Sequence, residues 1–223
     1  MITVHHLEHS RSQRVLWLLE ELGLAYEVVR YARDPETMLA PATLRAIHPL
    51  GKSPVITDGD VVVAESGAIV EYLVETYGDG ALQPAVGTPE RLRYRYWLHY
   101  AEGSAMPPLL LKLVFSRLAQ AKMPWLVRPI ARKISEGAQK NFIDPQLKQH
   151  LAFMEAEMTD RTWLCGEDFS AADVHMSFPL EAAAARGGLD ASYPRLSALL
   201  ERMHARPAYR KALAQGGPYV LMR

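Results

Sequence analysis

The first 23 residues of the chain join a strand pattern to an amphipathic helix pattern. Residues 2–7 are mainly apolar and β-branched near their start, as in a strand, whereas the apolar positions of 15–22 recur at helical spacing. Gly23 follows where a left-handed residue ends many helices. Ser10 and Ser12 lie between the two patterns. The sequence therefore predicts a strand that passes through two serines directly into a helix.

Five further segments extend this beginning. β-branched and aromatic residues at 26–31 predict a second strand, and because a helix separates it from the first, the two strands should be parallel. A short helix is predicted at 43–47. Strand-like runs at 52–57 and 61–64 flank a glycine-containing turn, which predicts an antiparallel hairpin. A helix over 66–77 completes the order βαβαββα.

The pattern changes after this helix. Residues rich in proline, glycine and small side chains predict a linker at 81–87, and no strand pattern returns beyond it. The predicted fold class is α/β plus all-α, with an α/β domain at 1–80 and an all-α domain at 88–223. A long helix is predicted over 91–120, kinked or broken at Pro107-Pro108.

The second half also contains a helix-start signal. Ser170 and Asp173 have the spacing of a capping box, in which each side chain bonds the other residue's backbone N–H. Further helices are predicted at 123–133, 141–158, 193–200 and 207–213.

Composition narrows the classes of function. Among 223 residues, 49% are hydrophobic and 22% are charged, which is enough apolar material for a sizeable core. Basic and acidic residues balance at 25 each, so neither nucleic acid nor an acidic membrane surface is an expected partner. The sequence shows neither a leader nor a membrane-spanning run, and a cytoplasmic location is expected. Cys165 is the single cysteine, which excludes internal disulfides and CxxC sites.

The two serines near the first helix indicate a site for negative charge. Unpaired backbone N–H groups and the helix dipole favour an anion at such a position. Serine is also a common helix cap, so taken alone Ser10 and Ser12 could be structural. His5, His6 and His9 lie nearby, but successive strand residues point to opposite faces, and no metal site is predicted.

Several motifs together resemble the glutathione transferases, and in particular their bacterial and fungal members with a serine-type site. These are Ser10, Lys52-Ser53-Pro54, Glu65-Ser66, Trp163-Leu164-Cys165-Gly166 and the capping box. The resemblance covers nearly the whole chain and is most specific over residues 1–78. It implies a thioredoxin-like first domain, glutathione as co-substrate, no prosthetic group, and a homodimer active in detoxification.

The resemblance also implies roles for individual residues. Ser10 would stabilise the glutathione thiolate, with Ser12 as the alternative and otherwise the helix cap. The Ser53–Pro54 peptide bond would be cis, so that the backbone of Ser53 pairs with the cysteinyl part of glutathione. Lys52 would approach the glycyl carboxylate. The other end of the tripeptide would be held by Glu65, at its ammonium, and by Ser66, at its carboxylate.

The second substrate is the least defined part of the prediction. A small apolar electrophile, or a peroxide, would bind between the serine corner and the helical domain. The candidate pocket residues, all aromatic, heteroaromatic or flexible apolar, are His9, Tyr100, Met106, Phe115 and Trp125. The alternative function is that of a non-catalytic carrier or protein-interaction module on the same fold.

Overall fold

The structure, a computed structural model, describes residues 1–35, 37–217 and 219–221. Its first half contains a four-stranded mixed sheet of order β2-β1-β3-β4. The strands are β1 Ile2–Leu7, β2 Tyr26–Tyr31, β3 Val55–Asp58 and β4 Val61–Ala64. β2 lies parallel to β1, while β3 is antiparallel to both β1 and β4. The predicted parallel pair and hairpin are therefore confirmed.

The hairpin begins later along the chain than predicted. Its first strand starts at Val55 rather than at Lys52, and residues 52–54 form the approach to the sheet. Pro54 has no N–H to donate to a ladder, which explains why pairing begins after it. This approach segment is consequently available to the site described below.

Three helices complete the βαβαββα order. They are α1 Ser12–Glu21, α2 Ala42–Ile47 and α3 Ser66–Tyr77. Gly23 has φ 64°, the left-handed conformation expected after α1. Residues 12–19 of α1 are all buried, because this helix lies between the sheet and the helical half of the molecule. The start of α1 thus packs against the sheet on one side and against the helical half on the other.

The second half consists of helices. They are α4 Pro89–Tyr100, α5 Met106–Gln120, α6 Arg128–Ala138, α7 Asp144–Glu157, α8 Ala171–Ala182, α9 Pro194–Ala205 and α10 Pro207–Gly216. Single π-helical turns at Ala101–Ala105, Gln139–Ile143 and Ala183–Gly187 join or extend them. The fold class predicted from the sequence is confirmed. No helix of the described residues is long and apolar enough to cross a membrane.

The helix predicted over 91–120 is two helices with a π-helical turn between them. The Thr88 hydroxyl caps α4 by accepting a hydrogen bond from the Arg91 N–H. Pro107 and Pro108 lie in the first turn of α5, directly after the π-helical turn, and neither has an N–H to donate to a preceding carbonyl. The irregularity therefore precedes the prolines, at Ala101–Ala105, where the helical backbone continues with a wider turn.

The predicted capping box is present at the start of α8. Asp173 is fully buried and accepts hydrogen bonds from the Ser170 N–H, the Ser170 hydroxyl and the Leu164 N–H, each at 2.9 Å. Burial raises the pKa of its carboxyl group to about 6. Asp173 thereby fixes the preceding loop to a helix whose residues are nearly all buried.

A buried ion pair links α1 to the helical half. Arg14 is almost fully buried, donates to Glu102 in the first π-helical turn, and also donates to the His175 carbonyl of α8. Glu102 additionally accepts from Arg11 at 3.0 Å. These contacts therefore fix the beginning of α1 relative to the helices of the second half.

Candidate active site

The serine corner lies between β1 and α1. Ser10 belongs to the turn before the helix, and Ser12 is the first helical residue. The predicted role of Ser12 as the helix cap is wrong: Arg11 occupies that position, and no side chain caps the helix there. The Ser12 hydroxyl is instead directed to the end of β1, where His6 and the Leu7 carbonyl offer it partners.

Four hydrogen-bonding groups form a continuous chain at this corner. The Ser10 and Ser12 oxygens are 2.8 Å apart, and the Ser12 oxygen lies 2.9 Å from His6 Nδ1. Ser10 Oγ also accepts from the Ser12 N–H at 3.3 Å, and it donates to Ser53 Oγ at 3.5 Å. Ser12 has no exposed surface, whereas 6% of Ser10 is exposed.

The three histidines of β1 and the corner face different partners. Burial, with a smaller contribution from Arg30, lowers the pKa of His6 to about 4, so its ring is neutral at physiological pH. His5 Nδ1 lies 3.0 Å from the Tyr31 hydroxyl, and His9 Nδ1 accepts from the Val220 N–H. Among the described residues, no group of three or more potential metal ligands comes together.

The segment before β3 reaches the same corner. The Ser53–Pro54 peptide bond is cis, as the resemblance implied. The Ser53 hydroxyl donates to the His5 carbonyl at 3.0 Å and accepts from the Leu7 N–H at 3.3 Å. The approach segment is thereby fixed against the end of β1, within reach of Ser10.

A cavity of about 310 Å³, here named the hairpin cavity, lies beside this segment and the start of α3. It is lined by all five residues predicted to bind the tripeptide, namely Lys52, Ser53, Pro54, Glu65 and Ser66. Glu65 has φ 70°, an uncommon value for a residue with a Cβ, directly before the twelve-residue helix α3. Ser66, the first residue of α3, lines the cavity, and the free N–H groups of a helix N-terminus favour a negative charge nearby.

A second cavity of about 280 Å³, here named the serine cavity, adjoins the first. Ser10 lines it, together with two of the predicted pocket residues, His9 and Met106. Arg11, Lys52, Ser53 and Leu110 line both cavities. A molecule in the hairpin cavity can therefore extend a group toward Ser10 and meet another molecule in the serine cavity.

Three predicted pocket residues lie elsewhere. Tyr100 is 6% exposed and packs among aromatic rings, its hydroxyl 2.5 Å from His150 Nδ1. Trp125 is 74% exposed, between α5 and α6. Phe115 packs on the core from α5. Aromatic character alone did not reveal the direction in which each side chain would point.

Several lining residues were not predicted. The serine cavity also contains Arg33, from the segment after β2, as well as Phe178 and Arg186, from α8 and the turn that follows it. Arg11 stacks on the Phe178 ring at 5.1 Å. Arg11 could have been predicted to line the site, because it lies between the two serines in the sequence. Phe178 and Arg186 could not, because only tertiary packing brings them to the serine corner.

Cys165 takes no part in either cavity described above. It is buried, and burial raises the pKa of its thiol to about 12. The thiol therefore stays protonated at neutral pH, consistent with a packing role for this residue.

The arrangement defines a class of protein. A thioredoxin-like sheet leads through a serine hydroxyl into a helix, and a helical domain packs over this corner and completes a second cavity. Comparison with known families agrees. The glutathione S-transferase N-terminal domain model matches residues 10–76, and the glutathione S-transferase C-terminal domain model matches 118–207. The chain belongs to the glutathione S-transferase family.

Individual relatives support this assignment over nearly the whole chain. Glutathione S-transferase 1 of Saccharomyces cerevisiae is 33% identical, with 94% of this chain and 92% of the relative covered. Glutathione S-transferase 3 of Schizosaccharomyces pombe is also 33% identical, with 95% and 86% covered. Among solved structures, a glutathione S-transferase from Actinobacillus pleuropneumoniae is 35% identical, with a TM-score of 0.81 and 97% and 93% covered.

Proposed function

We propose that this glutathione transferase activates the thiol of glutathione at Ser10 and transfers the sulfur to a small, largely apolar electrophile. The observation that carries the assignment to Ser10 is exposure: Ser10 lines the serine cavity, whereas Ser12 is fully enclosed by its partners. A hydroxyl that donates to sulfur favours the thiolate over the thiol.

Glutathione would occupy the hairpin cavity. Lys52 would bind the glycyl carboxylate, and the backbone of Ser53, before the cis bond to Pro54, would pair with the cysteinyl part; both residues line this cavity. Ser66 and the first N–H groups of α3 suit the γ-glutamyl carboxylate, with Glu65 beside the ammonium. The cysteinyl sulfur then reaches Ser10, where the two cavities adjoin.

The reaction itself needs little from the protein besides position and charge. The thiol proton leaves to solvent, the thiolate attacks an electrophilic carbon, a carbon–sulfur bond forms, and the leaving group departs with its electron pair. With a hydroperoxide, the sulfur would attack oxygen and release an alcohol, and a second glutathione would reduce the resulting sulfenic acid to give the disulfide and water.

Turnover of an aryl halide and of a hydroperoxide with glutathione tests the proposed function. Retention on a glutathione matrix tests binding separately. A protein that neither binds the matrix nor turns over either substrate would contradict the proposal and favour a non-catalytic carrier.

Ser12 and His6 would fix the direction of the Ser10 hydroxyl. A bound thiolate requires the Ser10 proton to point at sulfur, and Ser10 Oγ must then accept from Ser12. Ser12 Oγ would in turn accept from His6 Nδ1, which lies 2.9 Å away, and its own proton would point to Ser10 rather than to the Leu7 carbonyl. His6, neutral because of burial, would thus donate through its Nδ1–H tautomer. His6 is therefore a positioning residue in this proposal, acting through Ser12.

Replacing His6 with leucine is expected to raise the pKa of the bound thiol and to lower kcat/KM about ten-fold at neutral pH, because Ser12 loses the donor that orients it. His6→Asn, which retains a polar group of similar reach, should keep most of the activity. The measurement is the pH profile of kcat/KM. His5→Leu is the matched control, since His5 bonds Tyr31 on the other face of β1. An unmoved profile in a folded His6→Leu protein would contradict the role.

The family resemblance further supports a homodimer, a cytoplasmic location and a role in detoxification. Several large apolar side chains of the helical half are exposed in the single chain, among them Leu92, Val114, Ile130 and Ile134. Sedimentation equilibrium should give twice the 25.0 kDa mass of one chain. A single species at the mass of one chain would contradict the dimer without affecting the assignment of Ser10.

A further inference from the structure

The serine cavity is unusually basic for a site that receives an apolar substrate. Four of its lining side chains carry positive charge, and they are Arg11, Arg33, Lys52 and Arg186. None of the described residues that line it is an aspartate or a glutamate. The rest of the lining is mainly apolar, with Leu39, Met106, Leu110, Leu113, Phe178 and Leu221.

Two of these cations have a place in glutathione binding already. Arg11 and Lys52 line both cavities, so their charge can serve the tripeptide. Arg11 is also paired with Glu102, which is shared with Arg14. Arg33 and Arg186, in contrast, line the serine cavity and not the hairpin cavity. Both residues therefore bring positive charge to the wall of the serine cavity, and Arg186 also borders a separate cavity that contains Asp144.

Arg33 is fixed in place by neutral acceptors. Its Nε donates to the Glu8 carbonyl at 3.2 Å and its Nη1 donates to the Met38 carbonyl at 2.9 Å. The Glu8 carboxylate lies nearby, but it accepts from the Arg33 backbone N–H at 2.9 Å. Partial burial lowers the pKa of the guanidinium, which nevertheless stays charged as arginine does in proteins. Two backbone carbonyls thus hold the charged guanidinium group of Arg33 at the wall of the serine cavity.

Arg186 approaches from the helical half. It lies in the π-helical turn Ala183–Gly187, and its Nε donates to the Leu109 carbonyl of α5 at 3.2 Å. Burial lowers the pKa of this guanidinium as well. Arg33 and Arg186 therefore bring positive charge to one cavity from the two different domains of the fold.

We propose that the electrophile of this transferase is an anion: a compact apolar body that carries a carboxylate or sulfonate besides its reactive carbon. The charged group would bind Arg33 and Arg186, and the apolar body would contact the leucines, Met106 and Phe178. This inference rests on the proposed function and replaces "small and apolar" with "small, apolar and negatively charged". The anionic group does not react; the thiolate displaces the leaving group from carbon, forming the carbon–sulfur bond.

Electrostatics gives the arginines a second purpose. A thiolate and an anionic substrate repel each other when brought together in a cavity from which water is partly excluded. Cations on the cavity wall offset this repulsion and make the encounter favourable. The size of the cavity, near the lower end of the roughly 300–1,000 Å³ typical of ligand pockets, limits the substrate to about one ring or a short chain.

A matched pair of aryl halides tests the inference. The probes are 4-chloro-3-nitrobenzoate and its neutral primary amide, which have the same leaving group and nearly the same shape. For each probe, kcat/KM is divided by the rate constant of the uncatalysed reaction with glutathione, which removes their different intrinsic reactivity. For the wild-type protein, we expect this corrected kcat/KM to be several-fold higher for the benzoate than for the amide, so that the ratio of the two is well above one.

Arg33→Gln and Arg186→Gln should each lower that ratio about ten-fold or more, the size expected for one lost charged hydrogen bond. Arg33→Lys, which keeps the charge but not the fork, should retain part of the preference. Arg132→Gln, on an exposed position of α6, is the matched control and should leave the ratio as in the wild type.

The outcomes separate this inference from the proposed function. Turnover of the amide with a ratio of one or less, or a ratio that neither pocket variant changes, would overturn the anionic substrate while leaving glutathione transfer in place. Turnover of neither probe, nor of a hydroperoxide, would overturn both.

Discussion

Replacing Ser10 with alanine should lower turnover of an aryl halide on the order of 10²-fold, since an oriented donor to a developing or bound anion is lost. Of the two candidate serines, Ser10 borders the serine cavity and Ser12 does not, and the Ser10 oxygen lies 2.8 Å from that of Ser12. The loss should appear mainly in kcat/KM at neutral pH. Above the pKa of the unassisted thiol, the deficit should become smaller because solvent hydroxide then supplies the thiolate.

Two variants control this experiment. Ser12→Ala should have a smaller effect, because Ser12 acts on the sulfur only through Ser10. Ser192→Ala makes the same change at an exposed serine bonded to Asp190, and should leave activity unchanged. Full activity in a folded Ser10→Ala protein would refute the assignment. A loss in Ser12→Ala as large as expected for Ser10→Ala would exchange the two roles.

Replacing Asp173 with alanine should lower the free energy of unfolding by about 3 kcal/mol or more, because the buried N–H groups of Leu164 and Ser170 lose their acceptor. The carboxylate also accepts from the Ser170 hydroxyl. The measurement is the urea midpoint at a fixed protein concentration. Asp160→Ala, at an exposed position, should change stability by about 0.5 kcal/mol or less. Equal midpoints for the two variants would contradict the structural role of Asp173.

The same carboxyl group adds a dependence on pH. Burial raises the pKa of this carboxyl group from its ordinary value of 3.8 to about 6 in the folded protein. Between these values the native state binds a proton that the unfolded state has released, so the contribution of this group to stability decreases as pH rises through the window. Asp173→Asn should remove that contribution. It is measured as the difference in urea midpoint between wild type and variant at pH 4 and at pH 6.5.

The sequence predicted the secondary structure well where local patterns are strong. The parallel strand pair, the hairpin around residues 58–61 and the capping box at Ser170 and Asp173 all follow from the spacing of neighbouring residues. Boundaries were less accurate. The helix expected over 91–120 is interrupted at Ala101–Ala105, since the two prolines restrict where the first turn of α5 can lie.

The tripeptide anchors were also accessible from the sequence. These residues lie in short motifs next to a strand or a helix start, and the pairing of Val55 with Ala64 brings the two motifs together at the open end of the hairpin: Lys52, Ser53, Pro54, Glu65 and Ser66. Their contacts with glutathione stay predictions. The pocket for the electrophile was less accessible, because residue type predicts burial better than it predicts direction. Tyr100 and Trp125, for example, lie away from the cavity: Tyr100 is buried among other aromatic rings, and Trp125 is exposed between α5 and α6.

The sequence by itself determined the family, the order of strands and helices, and the presence of a hydroxyl-bearing helix start, because each depends on residues close together along the chain. Only the tertiary structure decided which serine borders the cavity, that His6 lies behind it, and that Arg33 and Arg186 converge from opposite domains. The cavity and its two arginines depend on contacts between residues far apart in the sequence, and the position of His6 depends on how the chain turns between β1 and α1. Such contacts form when the helical half packs over the sheet, and they leave no pattern in the local sequence.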